Sequence, residues 1–271
     1  MVSFPNAKIN IGLNITEKRP DGYHNIETIF YPIGLCDKLS FEIAKGDETS
    51  LSISGIKIDG DPNDNLIIRA YNLLKNNYYL PSLNIFLEKN IPFGAGLGGG
   101  SADAAFMLKM LNEEFNLNLT PIDLEKFAAE LGADCPFFVL NKPVFASGIG
   151  NVFSNINISI KGYYIVLIKP NVYVSTSNAY SGVKVQKSAF SLLNLSEKSI
   201  SEWKDIVVND FEKSIFLKFP AIAAIKETLY QQGALYASMS GSGSSVYGIF
   251  DKKVDVSTLF QDSFVWADFL Q

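Results

Sequence analysis

Histidine occurs once in 271 residues, at His24. A metal centre built from two or more histidines is therefore impossible, and a serine-histidine-aspartate triad would have to use His24. Cysteine is nearly as scarce. Cys36 and Cys135 are too few for a disulfide framework or a four-thiolate zinc site, and they fit a reducing cytoplasm. Basic charge is short as well: 23 Lys+Arg stand against 28 Asp+Glu, a net charge of −5. Nucleic acid needs a basic face, so no nucleic-acid partner is expected, although a local loop could still hold a nucleotide. Long apolar runs are missing. The stretch 163–168 is far too short to cross a bilayer, and residues 1–10 lack the apolar segment of a signal peptide, so no membrane partner is expected.

What remains is an ordinary globular composition, 47% hydrophobic and 19% charged, long enough for one large domain or two modest ones. A polar, weakly patterned stretch at 154–161 predicts a junction between an N-terminal lobe, 1–156, and a C-terminal lobe, 157–271. Apolar residues alternate with polar residues or glycine over 7–15, which predicts a strand with Lys8 and Asn10 on one face. Arg19-Pro20-Asp21-Gly22 is a turn, and a second strand is expected over 25–31. Further strands are predicted at 39–44, 51–58 and 83–88, with a helix over 65–77 capped by Asp64. Helices are expected at 101–112 and from Thr120-Pro121 to Gly132, then a β pair over 137–153 and a strand at 163–169. Helical patterns near 177–182, 201–216 and 220–232 precede a strand-loop-strand unit over 234–250.

Five glycines in the seven residues 94–100 lead into an apolar helix. Such a loop brings bare backbone N–H groups to an anion at the positive end of a helix dipole, so a phosphate-bearing ligand is its natural guest. It is not a P-loop of the G-x-x-x-x-G-K-[ST] type, because no lysine follows the glycines. Gly94-x-Gly96-x-x-Gly99 formally matches a dinucleotide fingerprint, but that fold needs a parallel strand after the helix, and residues 113–132 lead into another helix instead.

The stretch Pro92-Phe93-Gly94-Ala95-Gly96-Leu97-Gly98-Gly99-Gly100-Ser101 resembles the phosphate loop of the galactose, homoserine, mevalonate and phosphomevalonate (GHMP) kinases. Two other motifs of that superfamily flank it in the right order along the chain: the N-terminal strand with Lys8 before it and the late glycine loop Ser240-Gly241-Ser242-Gly243 after it. Pro5-x-Ala7-Lys8-Ile9-Asn10, Asp21-Gly22-Tyr23-His24, Ser101-x-Asp103-Ala104-Ala105 and Gly132-Ala133-Asp134-Cys135-Pro136-Phe137-Phe138 narrow the resemblance to a branch acting on a cytidine diphosphate sugar alcohol. The resemblance implies an α+β, two-lobe GHMP-kinase-like fold with its site in the interlobe cleft, and ATP and Mg²⁺ as co-substrate and metal. A monomer or homodimer acting on small molecules is expected. Gly99 and Gly100 stand where the wider superfamily has serines, one of which can bind magnesium, so no protein ligand for the metal is assigned. Ala102 replaces a serine common in this branch.

Each candidate residue has a chemical rationale. The loop 92–102 would hold the ATP phosphates through its amides, and Ser101 would add a hydroxyl. Asp134 follows a helix end and precedes an apolar run, a position that also suits a helix cap or loop carboxylate; the resemblance makes it the general base that accepts a hydroxyl proton. The resemblance puts Lys8 beside it as electrostatic partner. Tyr23 and His24, at a turn tip, suit a flat heterocycle, which the resemblance makes cytosine; Asn10 and Phe30 are further matched positions of that pocket. Asn65 is a candidate contact to adenosine, and Gly241 and Ser242 are candidates near the phosphates or the erythritol. Three other readings stay open: a GHMP kinase with another alcohol as acceptor, an RNA-binding module, against which the acidic charge argues, and a nicotinamide-dependent enzyme, which hydride transfer to a test substrate would revive.

Overall fold

The computed structural model describes residues 1–57, 64–183, 185–186 and 188–271. Contacts divide the chain into two compact units. The first comprises Met1–Ala7, Leu35–Phe93 and Gly98–Lys142, and the second Lys8–Gly34, Gly94–Leu97 and Pro143–Gln271. These units interleave along the chain, whereas the pattern-based boundary near 156 is a single cut. The stretch 154–161 lies wholly within the second unit.

In the first unit a four-stranded sheet runs in the order β1 (Val2–Ser3), β4 (Lys38–Ile43), β6 (Leu83–Lys89), β5 (Ser50–Gly55). Leu83, Ile85 and Leu87 point inward and alternate with Phe86 and Glu88, which are exposed, so the period of two survives. Position 58 of the predicted strand lies outside the described residues. Four helices follow: α1 (Leu66–Lys75), α2 (Gly99–Glu114), α3 (Pro121–Leu131) and α4 (Cys135–Leu140). Asn65, not Asp64, caps α1: its backbone is extended and its Oδ1 accepts the Ile67 N–H at 2.9 Å. Helix α2 starts two residues earlier than predicted, because Gly98 turns into it at φ 71° and Gly99 and Gly100 form its first turn. Thr120 and Asp123 close a capping box at α3, as Thr120-Pro121 leads one to expect. The predicted strand at 137–140 is a helix instead, because Pro136 sits in its first turn behind Asp134 at the N-cap.

One buried ionic cluster ties this unit together. Lys89 Nζ pairs with Asp37 and, at 2.8 Å, with Asp103 of α2, and all three side chains are almost fully buried. Asp37 Oδ1 also accepts the amides of Asn90 and Ile91 at 2.6 and 2.8 Å. Two carboxylates share one ammonium, and Asp103 Oδ1 has no partner among the described residues. Burial, only partly offset by Lys89, holds the Asp103 carboxyl up at about 7, far above the ordinary 3.8. A carboxyl raised on folding stabilises the fold below its unfolded value, and that contribution is lost as the pH rises through the folded one. Asp103→Asn imitates the neutral acid. The melting-temperature gap between wild type and this variant should therefore change steadily between about pH 4 and pH 7, wild type losing ground as the pH rises. Parallel pH profiles would show that Asp103 is ionised throughout.

The second unit holds two sheets. One runs β2 (Asn6–Lys18), β3 (His24–Cys36), β7 (Val144–Ser147), β8 (Val152–Asn155), and the other β10 (Tyr236–Met239), β11 (Val246–Phe250), β9 (Tyr164–Pro170), β12 (Ser263–Phe269). The pairs within the second sheet are all antiparallel. Helices α5 (Thr176–Ser181), α6 (Trp203–Ile206), α7 (Glu212–Lys218) and α8 (Pro220–Gln231) complete the unit. Ile222 and Leu229 of α8 join Val166, Ile168, Met239 and Val246 in its core. The helix predicted over 201–216 is broken: after α6 the chain extends, and Asn209 bridges to Leu13 before α7 begins. Strand β12 has no counterpart in the sequence reading. No helix of the described residues is long and apolar enough to cross a membrane.

Candidate active site

Strand β2 is buried on both faces. The polar side that sequence alternation assigns to Lys8 and Asn10 is not a wet surface: Lys8 is 3% exposed and Asn10 2%. Such burial of an ammonium requires partners. Lys8 Nζ donates to Asn10 Oδ1 at 2.6 Å and to Gly96 O at 3.3 Å, and it lies 4.6 Å from the centre of the Phe30 ring. Asn10 Nδ2 donates to Thr28 Oγ1 at 3.0 Å. Both ends of the Asn10 amide are thus engaged with protein groups.

The two glycine loops interlock in the second unit. Ser240 Oγ donates to Gly96 O at 2.9 Å, and Ser245 N donates to Ala95 O at 3.3 Å. Lys8 N donates to Leu97 O at 3.0 Å. Gly96 has φ 76°, and a methyl group added there would overlap the Ser240 carbonyl oxygen. Only glycine allows this approach. Gly241 lies against Asn10 and Gly96, and its carbonyl accepts from Asn209 Nδ2 at 2.9 Å. Ser242 beside it is partly exposed. Among the described residues, then, the carbonyls of Ala95, Gly96 and Leu97 accept protein donors, whereas the amides of 94–97 donate to no protein group. The loop turns its oxygens toward protein donors, and its N–H groups have no protein acceptor among the described residues.

In the first unit, the amides of Gly99, Gly100 and Ser101 open α2 and have no partner within the helix. Gly99 packs so close to Ile91 and Lys89 that a Cβ would come within 2.8 Å of Ile91 Cγ2. Ala102 is fully buried and its amide donates to Gly98 O, so it presents nothing to a ligand. Pro92 is buried and Phe93 is 58% exposed. Asp134 occupies the N-cap of α4 without spending its half-buried carboxylate on the cap. Next to it, burial raises the Cys135 thiol to about 11, with the Ser101 hydroxyl the largest opposing influence, so it remains a thiol at neutral pH.

His24 stacks on Tyr180 of α5, with ring centroids 4.8 Å apart and planes 20° from parallel. Desolvation, with Lys18 second, lowers the pKa of His24, so its imidazole is neutral at pH 7. Tyr23 is 61% exposed. Tyr180 was not marked by the sequence; an aromatic in a short amphipathic helix reads as core. Nor were Thr28 and Asn209, whose roles depend on partners distant along the chain.

A buried lysine set among the carbonyls of a glycine-rich loop is the arrangement of a phosphoryl-transfer enzyme of the GHMP class. Comparison with known proteins agrees. The GHMP kinases N terminal domain matches residues 65–142, and GHMP kinases C terminal matches 191–261. A Bacteroides fragilis 4-diphosphocytidyl-2-C-methyl-D-erythritol kinase is 55% identical over 261 residues, covering 96% of this chain and 95% of the relative. A Porphyromonas gingivalis protein of the same description is 45% identical over 273 residues, covering 100% of both. A crystal structure of 4-(cytidine 5'-diphospho)-2C-methyl-D-erythritol kinase superposes with a TM-score of 0.79 at 31% identity, covering 92% of this chain and 90% of that one. The Methanococcus jannaschii mevalonate kinase, at 13% identity and a TM-score of 0.73, shares the fold. The chain belongs to the 4-diphosphocytidyl-2-C-methyl-D-erythritol kinase family of GHMP kinases.

Proposed function

We propose that this kinase transfers the γ-phosphoryl group of ATP to the 2-hydroxyl of 4-diphosphocytidyl-2-C-methyl-D-erythritol, in the non-mevalonate route to isoprenoids. The observation that carries the phosphate half of this reading is the set of unspent amides at 94–97, together with the helix-start amides at 99–101. Backbone donors of this kind bind polyphosphate without a lysine in the loop. His24, neutral and stacked on Tyr180, supports a heterocycle at the other end of the acceptor, with exposed Tyr23 closing over it.

Asp134 accepts the proton of the acceptor hydroxyl as that oxygen bonds to Pγ and the bond from Pγ to the bridging β–γ oxygen breaks, releasing ADP. Lys8 supplies positive charge for the attacking oxygen and the transferring group, and Asn10 holds Lys8 in line. Transfer is direct, with no phospho-enzyme. Mg²⁺ would be held chiefly by the phosphate oxygens of the nucleotide and would offset their charge during transfer.

The reading is tested by coupled ADP release across a panel of acceptor alcohols that includes homoserine, mevalonate and the cytidylylated methylerythritol. Release with the last alone supports it, and turnover of another alcohol in preference would replace it. Tyr23→Ala should raise the KM for the cytidine substrate about fivefold or more, as expected for a lost stacking contact of about 1–3 kcal/mol, and leave the KM for ATP unchanged. A collapse of ATP affinity instead would mean the two pockets are exchanged.

A further inference from the structure

Tyr173 takes no part in the site as described above. It is 66% exposed, yet one edge of its ring is in close contact. A Cβ added at Gly94 would come within 2.8 Å of Tyr173 Cε2 and 3.2 Å of Cδ2. Glycine at 94 is what gives the ring room to lie on the first glycine loop. Its chain neighbours are fixed on both sides. Val172 N donates to Pro170 O at 2.7 Å, which turns the chain at the end of β9. Ser244 Oγ donates to Val172 O at 2.6 Å, fastening this segment to the second glycine loop. Val174 is buried in the core of the unit. The same segment continues into α5, where Tyr180 stacks on His24. An outward-facing tyrosine is thus held over the loop by a backbone that has little freedom left.

We infer that Tyr173 contacts the nucleotide, its ring covering the first glycine loop and its phenol donating to a phosphoryl oxygen of the nucleoside triphosphate held there. The inference rests on the kinase reading above. A phenol O–H to a phosphate oxygen is a charge-assisted bond. A two-torsion side chain on a pinned backbone loses little entropy in making it. The ring also displaces water from the loop side of the phosphates.

Tyr173→Phe keeps the ring on Gly94 and removes only the hydroxyl. Calorimetric titration with adenosine 5′-(β,γ-imido)triphosphate and Mg²⁺ should show about tenfold weaker binding, the low end for a hydrogen bond to a charged group. Steady-state kinetics should show a matching rise in the KM for ATP, with kcat and the acceptor KM within about twofold of wild type. The melting temperature should not move, because the lost group is exposed. Unchanged nucleotide affinity would overturn the phosphate contact, and a rise confined to the acceptor KM would overturn the nucleotide assignment. Wild-type protein that fails to bind the analogue would remove the kinase reading itself, and this inference with it.

Discussion

Asp134→Asn should lower turnover at least ~100-fold, the low end for loss of a general base, while nucleotide binding stays intact. The asparagine keeps the size and the N-cap position of the aspartate, so α4 should form as before. The carboxylate makes no cap hydrogen bond, so neutralising it leaves the capping of α4 unchanged. Under the proposed mechanism, what disappears is an acceptor for the proton of the attacking hydroxyl. Loss of kcat with an unchanged affinity for the ATP analogue separates this role from binding. An asparagine variant with full kcat would take Asp134 out of the chemistry. Lys8→Met should also depress kcat, but less selectively, because it strips Asn10 Oδ1 and Gly96 O of a donor and disturbs the loop as well.

Gly96→Ala should cost more than any other single methyl group. The obstruction is the Ser240 carbonyl, part of the backbone, so no side chain can swing aside to relieve it. The left-handed φ of 76° adds a second penalty. Overpacking and strain together come to roughly 3–5 kcal/mol, enough to lower the melting temperature by about 10 °C in a chain of this size. Nucleotide affinity should fall with it, since the two glycine loops must part. Gly233→Ala is the matched control: φ is 92° there, and an added methyl meets nothing within 4 Å. Its loss should be confined to the strain, about 1–2 kcal/mol. Equal losses at the two positions would mean that the interlock of the loops contributes nothing.

The site was legible in the sequence where the residue type is itself the signal. Glycine at 94, 96 and 98 announces a left-handed backbone open to an anion, and all three adopt positive φ. Lys8 and Asn10 could be placed on one face because a strand has a period of two. Alternation says which residues share a face, however, and not whether that face meets water; here both faces of β2 are buried. The helix at 135–140 carried a readable start in Asp134 and Pro136, but a run of Phe137, Phe138, Val139 and Leu140 has strand-like composition, and composition prevailed. The cluster of Asp37, Lys89 and Asp103 had no local trace at all. Its members come together only through the fold, with Lys89 and Asp37 separated by 52 positions. Tyr180 was hidden for the same reason. Its ring gains its purpose from His24 on another element.

The peptide unit joining Gly96 to Leu97 is electrically lopsided. Its oxygen receives both an ammonium hydrogen from Lys8 and a hydroxyl hydrogen from Ser240, while among the described residues its nitrogen has no protein acceptor. Two donors on one end draw electron density along the amide and make the hydrogen at the other end more positive, since linked hydrogen bonds polarise one another. The Leu97 N–H is therefore a stronger donor than an ordinary main-chain amide, and under the proposed function Lys8 would act on the phosphates through that bond as well as through space.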